Sequence, residues 1–113
     1  MTLHKLDLRP TPFSLIKTGK KKFELRLYDK RRRGILPGDV IEFTNQISGE
    51  KLAVDVVSLH IFNDFKQLYQ SLNPLTLGYE VGEDVSYKDM EQYYPQERQR
   101  AYKVVAIKIT LKD

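Results

Sequence analysis

The chain has 113 residues, 41% of them hydrophobic, no cysteine, and a net charge of +4 at pH 7. That length fits a single domain, expected to span residues 1–113, and the apolar fraction argues against wholesale disorder. The missing cysteines exclude disulfides, thiolate catalysis and Cys-ligated zinc or iron–sulfur chemistry.

In chain order, Leu3, Leu6 and Leu8 predict a short first strand. Pro10-Thr11-Pro12 ends it and opens a helix, with Thr11 as cap and Pro12 at the first helical position. Phe13, Ile16 and Leu15 give that helix an apolar side, Lys17 suits its C-terminal dipole, and Gly19 can take the left-handed conformation beyond the end. Phe23, Leu25 and Leu27 then alternate with Lys22, Glu24, Arg26 and Tyr28, predicting a strand with one buried and one charged face. Asp29 to Gly34 reads as a basic loop and Leu36-Pro37-Gly38-Asp39 as a tight turn. Val40–Thr44 and Leu52–Leu59 read as strands joined by a hairpin over Asn45–Glu50.

Asn63 or Asp64 can cap a helix carrying Phe65, Leu68, Tyr69 and Leu72. Asn73 to Val85 is expected to be a loop, followed by helical stretches over Lys88–Tyr94 and Gln96–Ala101. Val104–Leu111 is the strongest strand signal. Helices do not alternate regularly with strands, so a doubly wound parallel sheet is disfavoured. The expected fold class is α+β: a small, mostly antiparallel β-barrel or curled sheet with helices packed around it.

Positive charge is local. Lys17, Lys20, Lys21, Lys22, Arg26, Lys30, Arg31, Arg32 and Arg33 face only Glu24 and Asp29 within that segment, so it carries +7 and the remainder −3. Such a patch either concentrates polyanions or simply solvates one face. His4 and His60 lie far apart and read as structural, so no zinc site and no cofactor are expected, with carboxylate-bound magnesium left open. No stretch approaches the roughly 20 apolar residues of a membrane span, and the first residues show no signal-peptide pattern. A cytoplasmic protein without membrane contact is therefore expected, of unspecified oligomeric state.

Along the pleat of the second strand, Glu24 and Arg26 share a face, with Lys21 where the chain turns in after Gly19. Two fixed cations around one carboxylate can hold a phosphate or polarise a carbonyl. The plainer alternative is an exposed ion pair on a wet strand face. Gly19, Lys21, Glu24 and Arg26 also match, residue for residue, the G-x-K-x-x-E-x-R signature of ASCH domains, which are PUA-like in fold. The chain resembles that family over essentially its whole length: the Pro12 helix, the Pro37-Gly38-Asp39-Val40-Ile41 turn into a strand, the Phe65–Leu72 helix, the Leu77-Gly78-Tyr79 loop and the closing Val104-Val105-Ala106-Ile107 strand fall in its order. The resemblance implies a β-barrel with a cleft lined by the signature residues and the helical segments.

For function, the resemblance implies binding of RNA, a nucleoside or a nucleotide in a basic cleft, with Lys21, Glu24 and Arg26 on its floor and Arg31, Arg32 and Arg33 at its rim. Phosphate contacts from that run would position RNA without reading its sequence. Tyr79, Tyr93 and Tyr94 are candidates for stacking on bases, although tyrosines in such segments often pack half-buried. The alternative is a small hydrolase in the same cleft, either an amidohydrolase on N4-acylated cytidine or a ribonuclease, with Lys21 and Glu24 as the catalytic pair. In the amidohydrolase branch the lysine activates a threonine where this chain has Glu24, so acyl transfer to a hydroxyl is not available at that position. Glu24 would have to act as a base on water, with Lys21 or Arg26 stabilising the oxyanion.

Overall fold

The structure, a computed structural model, describes residues 1–112. Five strands form one sheet: β1 (Leu3–Leu8), β2 (Phe23–Leu27), β3 (Val40–Asn45), β4 (Lys51–Phe62) and β5 (Val104–Leu111), in the order β1-β3-β4-β5-β2. Only the β1–β3 pair is parallel. Twelve-residue β4 is the spine, pairing β3 with its first half and β5 along most of its length. Its register slips between Val56 and Ser58, a bulge of the kind that bends a strand and increases its twist. The sheet curls into a half-barrel whose outer strands, β1 and β2, do not pair with each other.

Period-two alternation along β5 assigns its side chains to two cores. Val105, Ile107 and Ile109 join Leu6, Leu8, Ile41, Phe43, Val54 and Val56 in the larger one, which α1 (Pro10–Lys17) closes with Phe13 and Ile16. Val104 and Ala106 join Phe23, Leu25 and Leu27 of β2 on the opposite face, covered by Phe65 and Leu68 of α3 (Phe65–Ser71) and by Leu77. A strand buried on both faces carries a near-continuous apolar run, which explains the strength of the Val104–Ile107 signal.

Local differences from the sequence-based expectation have identifiable causes. Helix α1 starts at Pro10, with Arg9 at the cap position and no side-chain cap, because Pro10 is itself preset for the first turn. Thr11 therefore does not cap it. The expected basic loop contains a helical turn, α2 (Lys30–Arg33), capped by the Asp29 carboxylate, which accepts from the Arg32 backbone N–H. Within the expected 73–85 loop, Pro74–Leu77 forms a 3₁₀ turn capped by Asn73. Helix α4 is confined to Lys88–Glu91, and α5 runs over Gln96–Tyr102. Buried Asp39 ties β1 to the turn before β3, accepting from the Thr2 and Leu36 N–H groups and pairing with His4 Nε2 at 2.9 Å.

Candidate functional site

The site begins with the pairing of β2 and β5. Glu24 lies opposite Ile107 and Arg26 opposite Val105, so both project on the same face as the larger core. They sit where the sheet is left open between β1 and β2. The charged face expected of β2 is consequently not solvent-facing: Glu24 keeps only 3% of its exposure. Arg26 donates from Nε to Glu24 Oε2 at 2.7 Å and from Nη2 to the Asp7 carbonyl at 2.9 Å. Its guanidinium thereby spans from one outer strand to the other, a contact that no backbone ladder makes.

Lys21 completes the cluster, its Nζ 3.4 Å from Glu24 Oε1. Its backbone is set by Gly19, at φ +79°, and by its own N–H bonding to the Leu15 carbonyl at 3.0 Å. Gly78, at φ +104°, lies against this lysine. A Cβ there would come 3.1 Å from Leu15 Cδ1 and 3.6 Å from Lys21 Cδ, so both the conformation and the close approach require glycine.

Burial opposes ionisation of Glu24, but the adjacent Arg26 and then Lys21, through charge and hydrogen bonding, outweigh it and hold the carboxyl below its ordinary range. Burial likewise works against the Arg26 cation, while Glu24 and Tyr94 favour it, and the balance raises its pKa. The cluster is therefore two cations around one carboxylate, net +1, and both carboxylate oxygens are occupied. Arg26 retains donors beyond those used on Glu24 and Asp7, and the Lys21 ammonium has protons to spare.

These groups floor a cleft of about 490 Å³ bounded by Asp7, Arg9 and Pro12 on one side and by Met90, Gln92, Tyr93 and Tyr94 on the other. Tyr93 is 45% exposed, and the Arg9 guanidinium sits 5.1 Å from its ring centroid, a cation–π platform at the mouth. Tyr94 is held more firmly, its ring stacked on Phe65 at 5.7 Å. Gln99 fixes that wall: almost fully buried, it accepts from the Phe65 N–H at 2.9 Å and donates to the Tyr94 carbonyl at 2.8 Å. Nothing in the polar run Gln96-Glu97-Arg98-Gln99 singles Gln99 out, and Arg9 gives no signal beyond its charge.

Tyr79 is not brought to the cleft. Its hydroxyl contacts Tyr69 at 2.9 Å and Asp89 at 2.7 Å within the second core, and burial together with those partners raises its pKa. The arginine run divides. Arg33 folds back, donating to the Tyr28 carbonyl at 3.0 Å with its guanidinium over the Tyr28 ring. Arg32 pairs with Asp29 at 2.9 Å, and Arg31 is exposed; these two line a separate shelf beside the cleft. No group of three or more His, Cys, Asp or Glu side chains among the described residues is arranged to hold a metal ion. No helix among them is long and apolar enough to cross a membrane.

A curled five-stranded half-barrel with a Lys–Glu–Arg cluster at its open seam defines a small PUA-like α+β domain. The chain belongs to the ASCH domain family, whose model matches residues 6–113. Among solved structures, it resembles hypothetical protein PH0355 with 34% identity and a TM-score of 0.82, covering 99% of this chain and 100% of that one. Protein PF0455 from Pyrococcus furiosus is similar at 33% identity and a TM-score of 0.71, with 98% of both chains covered. A mutant of the ASCH protein ZmASCH from Zymomonas mobilis shares the fold at 15% identity and a TM-score of 0.67, over 96% of this chain and 67% of that one. No curated protein matches the sequence.

Proposed function

We propose that the cleft binds RNA or a nucleotide, with Lys21 and Arg26 contacting phosphate or carbonyl oxygens and Glu24 holding both cations in place. The observation that carries this reading is the clamped cluster itself. A carboxylate whose two oxygens are engaged at 3.4 and 2.7 Å fixes its cations while leaving their other donors free. The Arg9–Tyr93 platform supports it by offering a π surface at the mouth for a base. On this reading Glu24 is a positioning residue.

The same geometry weighs against the hydrolytic alternative. A general base works best with a pKa near the operating pH, whereas Glu24 is lowered and both its oxygens face cations. Titration of the full chain with nucleosides, nucleotides and short single-stranded RNAs tests the choice. Expected is saturable binding that is lost in Lys21→Ala and Arg26→Ala. Absence of binding, or binding indifferent to both substitutions, overturns the reading. Turnover of N4-acetylcytidine that disappears in Glu24→Gln replaces it with the hydrolase.

A further inference from the structure

Beside the cleft lies a shelf of about 210 Å³ lined by Lys5, Leu6, Asp7, Arg26, Arg31, Arg32 and Gln46. Asp7, Arg26 and Gln46 line both depressions, so the two are contiguous across the Arg26 guanidinium. Lys5, Arg26, Arg31 and Arg32 line the shelf beside Asp7; Glu24 and Asp29 pair with Arg26 and Arg32, while Lys5 and Arg31 have no ion-pair partner among the described residues. It joins two chain-distant elements, the free edge of β1 and the helical turn α2.

Two features mark the shelf as more than a solvated rim. Arg32 is held rigidly, with Nη1 on Asp29 Oδ2 at 2.9 Å and its own N–H on the same carboxylate. Yet its Nε is buried without a hydrogen-bond partner, the only buried side-chain N or O among the described residues in that condition. That unpaired donor is a cost of holding the guanidinium in one orientation on Asp29, since the buried atom itself lies out of reach of a ligand on the shelf. Arg26, by contrast, is shared between the cleft and the shelf and has donors to spare on the side away from Glu24.

We propose that this shelf is a phosphate subsite continuous with the cleft, so that the natural ligand is a single-stranded oligonucleotide and not a free nucleoside. The proposal rests on the nucleotide-binding reading and extends it. One residue sits in the cleft between the Lys21–Glu24–Arg26 floor and the Tyr93 wall. Its phosphodiester crosses Arg26, and the next phosphate lies over Lys5, Arg31 and Arg32. Asp7, at the divide, limits how many phosphates can approach and sets the path along the cationic side.

The test uses Lys5→Gln/Arg31→Gln in the full chain, because both side chains are exposed and the ion pairs among the described residues use neither. Binding of a fluorescein-labelled short single-stranded RNA is followed by anisotropy across a salt series, beside calorimetry with a nucleoside 5′-monophosphate. The double variant is expected to bind the RNA about tenfold more weakly, with the slope of log affinity against log salt reduced by roughly 0.7, the value for one lost phosphate contact on a single strand. Affinity for the mononucleotide is expected to stay within twofold of wild type. An unchanged RNA slope with mononucleotide binding intact refutes the shelf and leaves the cleft reading standing. Loss of both ligands in wild type refutes the two together, and equal weakening of both in the variant also overturns a separate subsite.

Discussion

Replacing Glu24 with glutamine removes one negative charge from between two cations and leaves the shape of the site intact. At an effective dielectric constant of about 20, contacts of 3.4 Å to Lys21 and 2.7 Å to Arg26 are each worth roughly 5–6 kcal/mol of Coulomb attraction. Most of that is offset by the cost of burying three charges. The asymmetry survives: without the carboxylate, two like charges remain close together with no anion between them. Breaking a buried pair in this way costs about 3–5 kcal/mol. Lys21 and Arg26 keep 13% and 12% side-chain exposure toward the cleft, so water relieves part of the strain and the lower end, about 3 kcal/mol, applies.

For a chain of this size that lowers Tm by roughly 12 °C, at about 4 °C per kcal/mol. Thermal melts followed by circular dichroism at pH 7 measure it. Glu24→Gln combined with Lys21→Met, which deletes one stranded cation, should recover about half the loss. The double-mutant cycle then gives a coupling that high salt barely changes. A fall of less than about 3 °C for Glu24→Gln, or further loss on adding Lys21→Met, refutes the claim that the cluster is buried and mutually dependent. It would then behave as a surface ion pair worth roughly 0–1 kcal/mol.

Acid should unfold the protein through two carboxylates. Asp39 is lowered to about 2, chiefly by its hydrogen bonds from His4, Thr2 and Leu36, against an unfolded value near 3.9. Its stabilisation is therefore complete above about pH 4 and lost as pH falls through about 2; Glu24, also lowered, loses its contribution in the same direction below about pH 4.3. Urea midpoints should be flat above about pH 5 and fall steadily below it, with a shallower acid limb in Asp39→Asn, and midpoints that hold level down to pH 2.5 contradict this. The tyrosines should separate: Tyr93→Ala should weaken nucleotide binding by about 1–3 kcal/mol with little change in Tm. Tyr79→Phe should leave binding alone and cost roughly 1 kcal/mol of stability, because Asp89 and Tyr69 lose a partner. The opposite pattern in titrations and melts would exchange their roles.

Much of the architecture was legible locally. Alternation marked β2, helical spacing marked Phe65 and Leu68, and Gly19 marked the break between α1 and the strand that carries Glu24 and Arg26. Period two also placed those two side chains on one face, and the charge count located the basic segment. These features depend on neighbours within a few residues, which is why sequence alone determined them.

What covers that face was decided only by tertiary structure. The same alternation serves a strand whose polar side meets water and one whose polar side meets the open seam of a half-barrel. The difference lies in β5 beside β2, the β1 edge whose Asp7 carbonyl receives Arg26, and the Tyr94 wall that Gln99 secures from α5. Burial of Glu24, the Arg9–Tyr93 platform, the withdrawal of Tyr79 into the core and the parting of Arg33 from Arg31 and Arg32 all arise from contacts between segments distant in sequence. A charge at position 24 was plain from the residues; that it would be held dry between two cations follows only from how the sheet curls and leaves its outer strands unjoined.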